Sequence, residues 1–348
     1  MPGKKPTIKQ IAAYTGVSIG TVHRAIYGKE GVGEETRKRI LEAVEQMNYT
    51  VDETASSMKR KSLRIAVVLP KPVGEERFFL RGIWSGIKKA ADSLERYRVE
   101  FVFIESEYNL EMIAMELQKL YDTMLDDING LITLSDDKAS NEWISRFYRQ
   151  GVTVVLLASY GNVVDVFCSI KVNHKKAGEL AGEFLFKTQR RQNGKVLLLS
   201  GNQDAYTNLK YGDAFAHYLK ENMPMHELIQ VDGLGKKQIE KRCRDLLKNE
   251  DIEAVFCCNA RNTFVLCELL DTSDRKDIIL IGTDVFKEIE QYLENDILTA
   301  VISQSNFEQG EKAVSVIYEY LTLGSREKSI VEMPFSLVMK SNYKYFSC

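Results

Sequence analysis

Hydrophobic positions along this chain follow two rhythms. In the first fifty residues they recur at helical spacing. Ile8, Ile11 and Ala12 form one stripe, Val22, Ala25 and Ile26 a second, and Ile40, Leu41, Val44 and Met47 a third. Thr7 with Gln10 three residues on is a capping-box start for the first helix. Gly16 ends that helix, Ser18 caps the next, and Gly28 stands near its end. The third helix is expected over 34–47, with Gly33 as an acceptable cap. After residue 62 the rhythm changes. Apolar runs at 63–70, 99–105, 128–135, 152–159, 194–201, 228–232, 252–259 and 277–284 predict strands. Amphipathic helices are expected over 78–96, 110–124, 175–188 and 206–221, with another between the strands at 128–135 and 152–159. Apolar strands alternating with such helices make parallel βαβ units. The rhythm runs twice, so the expected fold class is α/β: an all-helical N-terminal headpiece followed by a two-lobed core with parallel sheets.

Two short helices joined by a turn containing glycine are the helix-turn-helix pattern, whose second helix enters the major groove of DNA. Its outward positions are Ile19, Gly20, Thr21, His23 and Arg24. Arg24 can donate two hydrogen bonds to guanine, and Ile19, Gly20 and His23 share its face as base-reading candidates. Thr7, Ser18 and Thr21 carry hydroxyls suited to phosphates. Spacing alone leaves a plain helical hairpin open as an alternative.

Charge supports the first reading. Residues 1–62 hold eleven Lys/Arg and seven Asp/Glu, a net of +4, while the whole chain is at −2. A basic end on an acidic body fits a small nucleic-acid module on a body that does not bind nucleic acid. The six cysteines lack CxxC spacing and the four histidines lie far apart, so no metal or other cofactor is expected. "MPGKKPTIKQ" has no apolar signal region and no run reaches eighteen apolar residues. The expectation is a cytoplasmic protein with no membrane partner. "PKPVGEE" after the 63–70 strand is not a dinucleotide fingerprint, and no Walker loop, G-x-S-x-G or H-E-x-x-H occurs. Asp136 and Asp137 sit where a helix starts. Nothing requires an enzyme.

The segments "TIKQIAAYTGVSIGTVHRAI", "TRKRILEAVEQMNY" and "ASSMK" resemble, in residue and order, the headpiece and hinge of the LacI/GalR family of bacterial transcriptional regulators. His23 replaces the family's serine before the recognition arginine. Ser56 and Met58 replace its hinge arginine and leucine. The resemblance implies a hinge helix over 52–59, paired with that of a second protomer in the minor groove. Ala55, Met58 and Lys59 would lie there, Met58 as an apolar wedge between base pairs. Plain packing is the competing role for Met58. Eight residues are too few for a stable lone helix, so this segment suits regulation.

The likeness continues in "VNHKKAGELAGEFL" (172–185), "AVFCCNARNTFVLCELL" (254–270), "ILIGTDVF" (279–286) and "LTAVISQSNFEQGEKAVSVIYEYL" (298–321). It implies a periplasmic-binding-protein-like core with a small effector between the lobes. The ending "VEMPFSLVMKSNYKYF" resembles that of relatives from Bacteroidetes-type bacteria. The implied organisation is a headpiece at 1–50, a hinge and linker at 51–62, a first lobe at 63–161 with 305–328, and a second at 162–304 with 329–342. Carried over residue by residue, the effector positions are Tyr206, Leu209, Asn259, Asp284 and Gln304. Leu209 stands where the family has an arginine, and Ala260 where it has an aspartate. Packing is the competing role for Leu209, and the crossover between lobes for Gln304. The implied partners are a pseudo-palindromic double-stranded operator, a second copy of the chain, and a neutral, sugar-like effector. A constitutive regulator with a degenerate pocket is the main rival.

Overall fold

The structure is a computed structural model. It describes residues 6–26, 31–47, 49, 62–74, 77–107, 110–134, 138–157, 166–202, 206–233, 235–324 and 329–346. The expected hinge residues Ala55, Met58 and Lys59, and also Asp136 and Asp137, lie outside them.

The headpiece comprises α1 (Ile8–Thr15), α2 (Ile19–Ile26) and α3 (Glu34–Gln46). Gln10 Oε1 accepts the Thr7 backbone N–H at 2.7 Å, which is the carboxamide half of a capping box. Gly16 ends α1 at φ 68, a left-handed conformation that glycine adopts without a Cβ clash. Ser18 Oγ then accepts the Thr21 N–H at 3.1 Å and caps α2. Ile11, Val22 and Ile40 are fully buried at the centre, ringed by Ala12, Ala25 and Ala43. Leu41 departs from expectation: it is 45% exposed. The inward stripe of α3 runs through 40, 43, 44 and 47, and a residue one place after 40 is turned about 100° away from it.

The core holds two six-stranded sheets. In the first, β1 (Leu63–Pro70), β2 (Val99–Ser106), β3 (Gly130–Thr133), β4 (Thr153–Leu157), β5 (Cys168–Val172) and β11 (Ile330–Met333) are ordered β2-β1-β3-β4-β5-β11. In the second, β6 (Lys195–Gly201), β7 (Glu227–Asp232), β8 (Ile252–Cys257), β9 (Ile279–Thr283), β10 (Ala300–Ser303) and β12 (Ser336–Val338) repeat that order as β7-β6-β8-β9-β10-β12. All pairs are parallel except β10 with β12. The helices are α4 (Arg77–Leu94), α5 (Leu110–Met124), α6 (Lys138–Arg149) and α7 (His174–Thr188), then α8 (Tyr206–Asn222), α9 (Lys236–Asn249), α10 (Ala260–Asp271), α11 (Lys287–Glu294) and α12 (Asn306–Leu323). Each sheet buries apolar clusters against them.

The strand pairings move two expected lobe boundaries. β5 pairs with β4, and β11 pairs with β5. The stretches 168–172 and 330–333, expected in the second lobe, therefore belong to the first. The chain crosses between sheets at 173, at 304–305 and at 334–335. The physical reason is edge satisfaction: β4 would otherwise expose unpaired backbone groups. Helices α4 and α12 pack almost backbone to backbone. A Cβ at Gly86 would stand 2.0 Å from the Phe307 carbonyl oxygen, and one at Gly310 would stand 2.3 Å from that of Ile83. No helix of the described residues is long and apolar enough to cross a membrane.

Candidate functional site

Helix α2, the second of the expected helix-turn-helix pair, presents two faces. Val22 and Ala25 are buried, while Ile19, Gly20, His23 and Arg24 are exposed on the other side. Ile19 is 46% exposed, unusual for isoleucine in a small domain and suited to contact with a thymine methyl. The Arg24 guanidinium rests near Gly31, with Nη1 3.6 Å from where a Cβ would stand. Ser18 and Thr21 hold each other through their hydroxyls at 2.8 Å. Thr7 is exposed and donates its hydroxyl to Gln10 Oε1 at 3.0 Å. Arg37 Nη1 donates to the Ala25 carbonyl at 3.1 Å and so ties α3 to the last turn of α2.

In the core, strand order sets the crevices. β1 lies between β2 and β3, and β6 between β7 and β8. At such a switch point the connections leave in opposite directions and open a crevice beyond the strand ends. The loop after β1 leads to Arg77 and Phe78, and the loop after β6 leads to Tyr206 and Leu209.

The expected effector residues do not all gather in one wall. Asp284 and Gln304 meet directly: Gln304 Nε2 donates to Oδ1 and Oδ2 of Asp284 at 3.0 and 3.1 Å. Gln304 Oε1 lies 2.7 Å from His174 Nε2. A carboxylate only accepts, so it fixes which end of the Gln304 amide faces it. The opposite end is the carbonyl, which faces His174 Nε2 and accepts from it in the Nε2–H tautomer. The chain from His174 through Gln304 to Asp284 joins the crossover at 173 to the end of β9 by way of the crossover at 304–305. All three residues are buried. Burial raises the Asp284 carboxyl to about 6, against the hydrogen bonds from the Gln304 and Asn306 side chains. Burial lowers His174 to about 4, against its hydrogen bond to Gln304. Asp284 and Ser305 both take left-handed backbone at φ 66 and φ 54, a costly conformation for residues with a side chain.

Asn259 caps α10, its Oδ1 accepting the Asn262 N–H at 2.9 Å, and its Nδ2 lies against Gly201. Leu209 is half-buried in α8. Tyr206 opens α8, but its side chain lies outside what the structure describes. The structure therefore gives Asp284 and Gln304 a bond to each other at the lobe crossover, and Asn259 a capping role. His174 completes that network. Phe78, at the crevice beyond β1, carries no sequence signal beyond its place on an amphipathic helix.

Comparisons with known proteins agree with both halves of the chain. Residues 65–326 match the family model described as periplasmic binding protein domain, and residues 7–52 match that of bacterial regulatory proteins, lacI family. The ribose operon repressor of Lactococcus lactis is 23% identical over 345 residues, covering 97% of this chain and 98% of that one. Among solved structures, the glucose-galactose binding protein GanP of Geobacillus stearothermophilus superposes with a TM-score of 0.70 at 17% identity, covering 81% of this chain and 99% of that one. A putative LacI transcriptional regulator from Bacteroides fragilis gives 0.71 at 15% identity, covering 82% and 100%. The chain belongs to the LacI/GalR family of bacterial transcriptional regulators, non-catalytic DNA-binding proteins with a periplasmic-binding-protein core.

Proposed function

We propose that this regulator binds a pseudo-palindromic operator as a homodimer and that a neutral, carbohydrate-like effector between the lobes controls its operator affinity. The observation that carries the effector class is the setting of Asp284, a buried carboxylate held by the amides of Gln304 and Asn306 rather than by a guanidinium. An anionic ligand drawn to that site would meet like charge in a low dielectric. A polyol can use the lone pairs that the Gln304 amide leaves free on the carboxylate oxygens. Leu209, in place of the family arginine, removes a bidentate partner for acidic groups. Tyr206, Asn259 and Gln304 are the further hydrogen-bonding candidates for the same ligand. Two of the similar proteins support this class, since the Lactococcus protein is named for a ribose operon and GanP for glucose and galactose.

On the DNA side, Ile19, Gly20, His23 and Arg24 would read bases, and Thr7, Ser18 and Thr21 would hold the backbone. Paired hinge segments, with Ala55, Met58 and Lys59, would occupy the minor groove. The Bacteroidetes-type lineage rests on the C-terminal residues alone.

The test is an anisotropy titration of the full chain against a selected pseudo-palindromic duplex and its scrambled version, repeated with neutral monosaccharides, sugar phosphates and purines. The palindrome should bind at least about a thousandfold more tightly, and a neutral saccharide should shift the curve. Equal binding of both duplexes would remove the dimeric reading. A shift produced by a sugar phosphate and not by its neutral parent would overturn the effector class.

A further inference from the structure

Phe78 belongs to the first lobe by sequence and to the second by packing. It sits in the first turn of α4 and is 4% exposed, yet its apolar neighbours form the cluster built on β8, β9, α10 and α11. Its ring stacks on Phe286 with centroids 4.2 Å apart and an interplanar angle of 28°. Phe264 stands 5.3 Å away, tilted, and itself meets Tyr292 edge-on at 6.4 Å. Beside this plug, Arg81 Nη1 donates to Glu288 Oε1 at 2.8 Å. Arg77 Nε lies 3.7 Å from the same oxygen, and its guanidinium lies over the Phe78 ring, 4.0 Å from the centroid. An aromatic plug is thus rimmed by ion pairs between helices of different lobes.

Its position gives it leverage. The crossovers run beside β5, β10, β11 and β12, at one edge of each sheet. β1, which leads to Phe78, is three strands from β5, roughly 14 Å at ~4.8 Å per strand. Contacts far from a hinge oppose its opening more strongly than contacts on it. An apolar stack is non-directional, whereas the charges beside it fix one register of the lobes.

We propose that Phe78, seated among Phe264 and Phe286 and flanked by Arg81–Glu288, is a clasp by which the chain itself holds its two lobes closed. The clasp concerns the lobes alone and stands apart from the identity of any effector. An effector then acts on a cleft already biased toward closure, and its affinity includes the work of opening or reshaping the clasp.

The test uses the full chain without DNA or ligand. Small-angle scattering reports the width of the particle, and hydrogen exchange reports protection of 284–292. Arg81→Glu and Glu288→Arg should each raise the radius of gyration and speed exchange in that segment. The double swap, which restores the pair with its charges reversed, should return both toward wild type. Phe78→Ala should open the lobes further. Circular dichroism separates opening from unfolding, and if Phe78→Ala fails to fold, the two partly exposed charge variants decide alone. Scattering and exchange unchanged in both single reversals, or a double swap no better than either, would overturn the clasp.

Discussion

Asp284 shows how one carboxylate can be held by opposing forces. Burial disfavours its charged form, and amide donors favour that form; burial wins, leaving the group at about 6. Its folded value lies above the unfolded one, so between about 4 and 6 the folded state binds the extra proton. This group's contribution to stability therefore falls as pH rises through that window and is fully lost above it. His174 does the reverse. Its folded value of about 4 lies below the ordinary 6.5, so the unfolded state binds the extra proton and stability rises with pH over that range. Each shift corresponds to about 3 kcal/mol, and the two oppose each other where they overlap. Asp284→Asn should expose the His174 limb: the denaturation midpoint should climb more steeply between pH 4 and 6.5 than in wild type. A parallel pair of pH profiles would show that the two groups do not titrate in the folded protein as their burial implies. At the other end of the chain, Arg24→Ala should cost about 1–3 kcal/mol on the operator and much less on random DNA. Competitive binding at fixed salt measures both, and an equal loss would reassign Arg24 to phosphate.

At the scale of elements, legibility followed length and local rule. The three headpiece helices carry caps, stripes and stops within a few residues, and α1, α2 and α3 lie where those signals put them. Long apolar strands such as β1, β6 and β8 were equally plain. Among the short strands, β3, β4 and β9 lie inside the expected apolar runs, whereas β5, β10, β11 and β12, of three to five residues, have no expected strand of their own. They form because neighbouring strands supply their hydrogen bonds. Helix packing follows a third kind of rule. Gly86 and Gly310 are unremarkable in a helical pattern, yet they let α4 and α12 approach to backbone contact. Gly86→Ala should force the helices apart and lower stability by roughly 1–3 kcal/mol. Because α12 begins just after the Gln304 crossover, exchange near 304–309 should quicken as well. An unchanged denaturation midpoint would mean that the contact relaxes without cost.

At the scale of the whole molecule, the sequence by itself was enough for the family, the headpiece, the α/β class and the absence of any recognisable catalytic motif. Each of these rests on residues close together in the chain or on a motif read in order. Tertiary structure alone decided which lobe owns 168–172 and 330–333, since strand partners come from distant segments. It also decided the partners of Asp284. Its bond to Gln304 spans 20 residues, and the link from Gln304 to His174 spans 130. The clasp joins residues 207 apart. Local pattern records what a residue prefers, burial or exposure, helix or strand. It does not record the partner, because the partner is chosen when the chain closes its long loops and brings distant groups within hydrogen-bond reach.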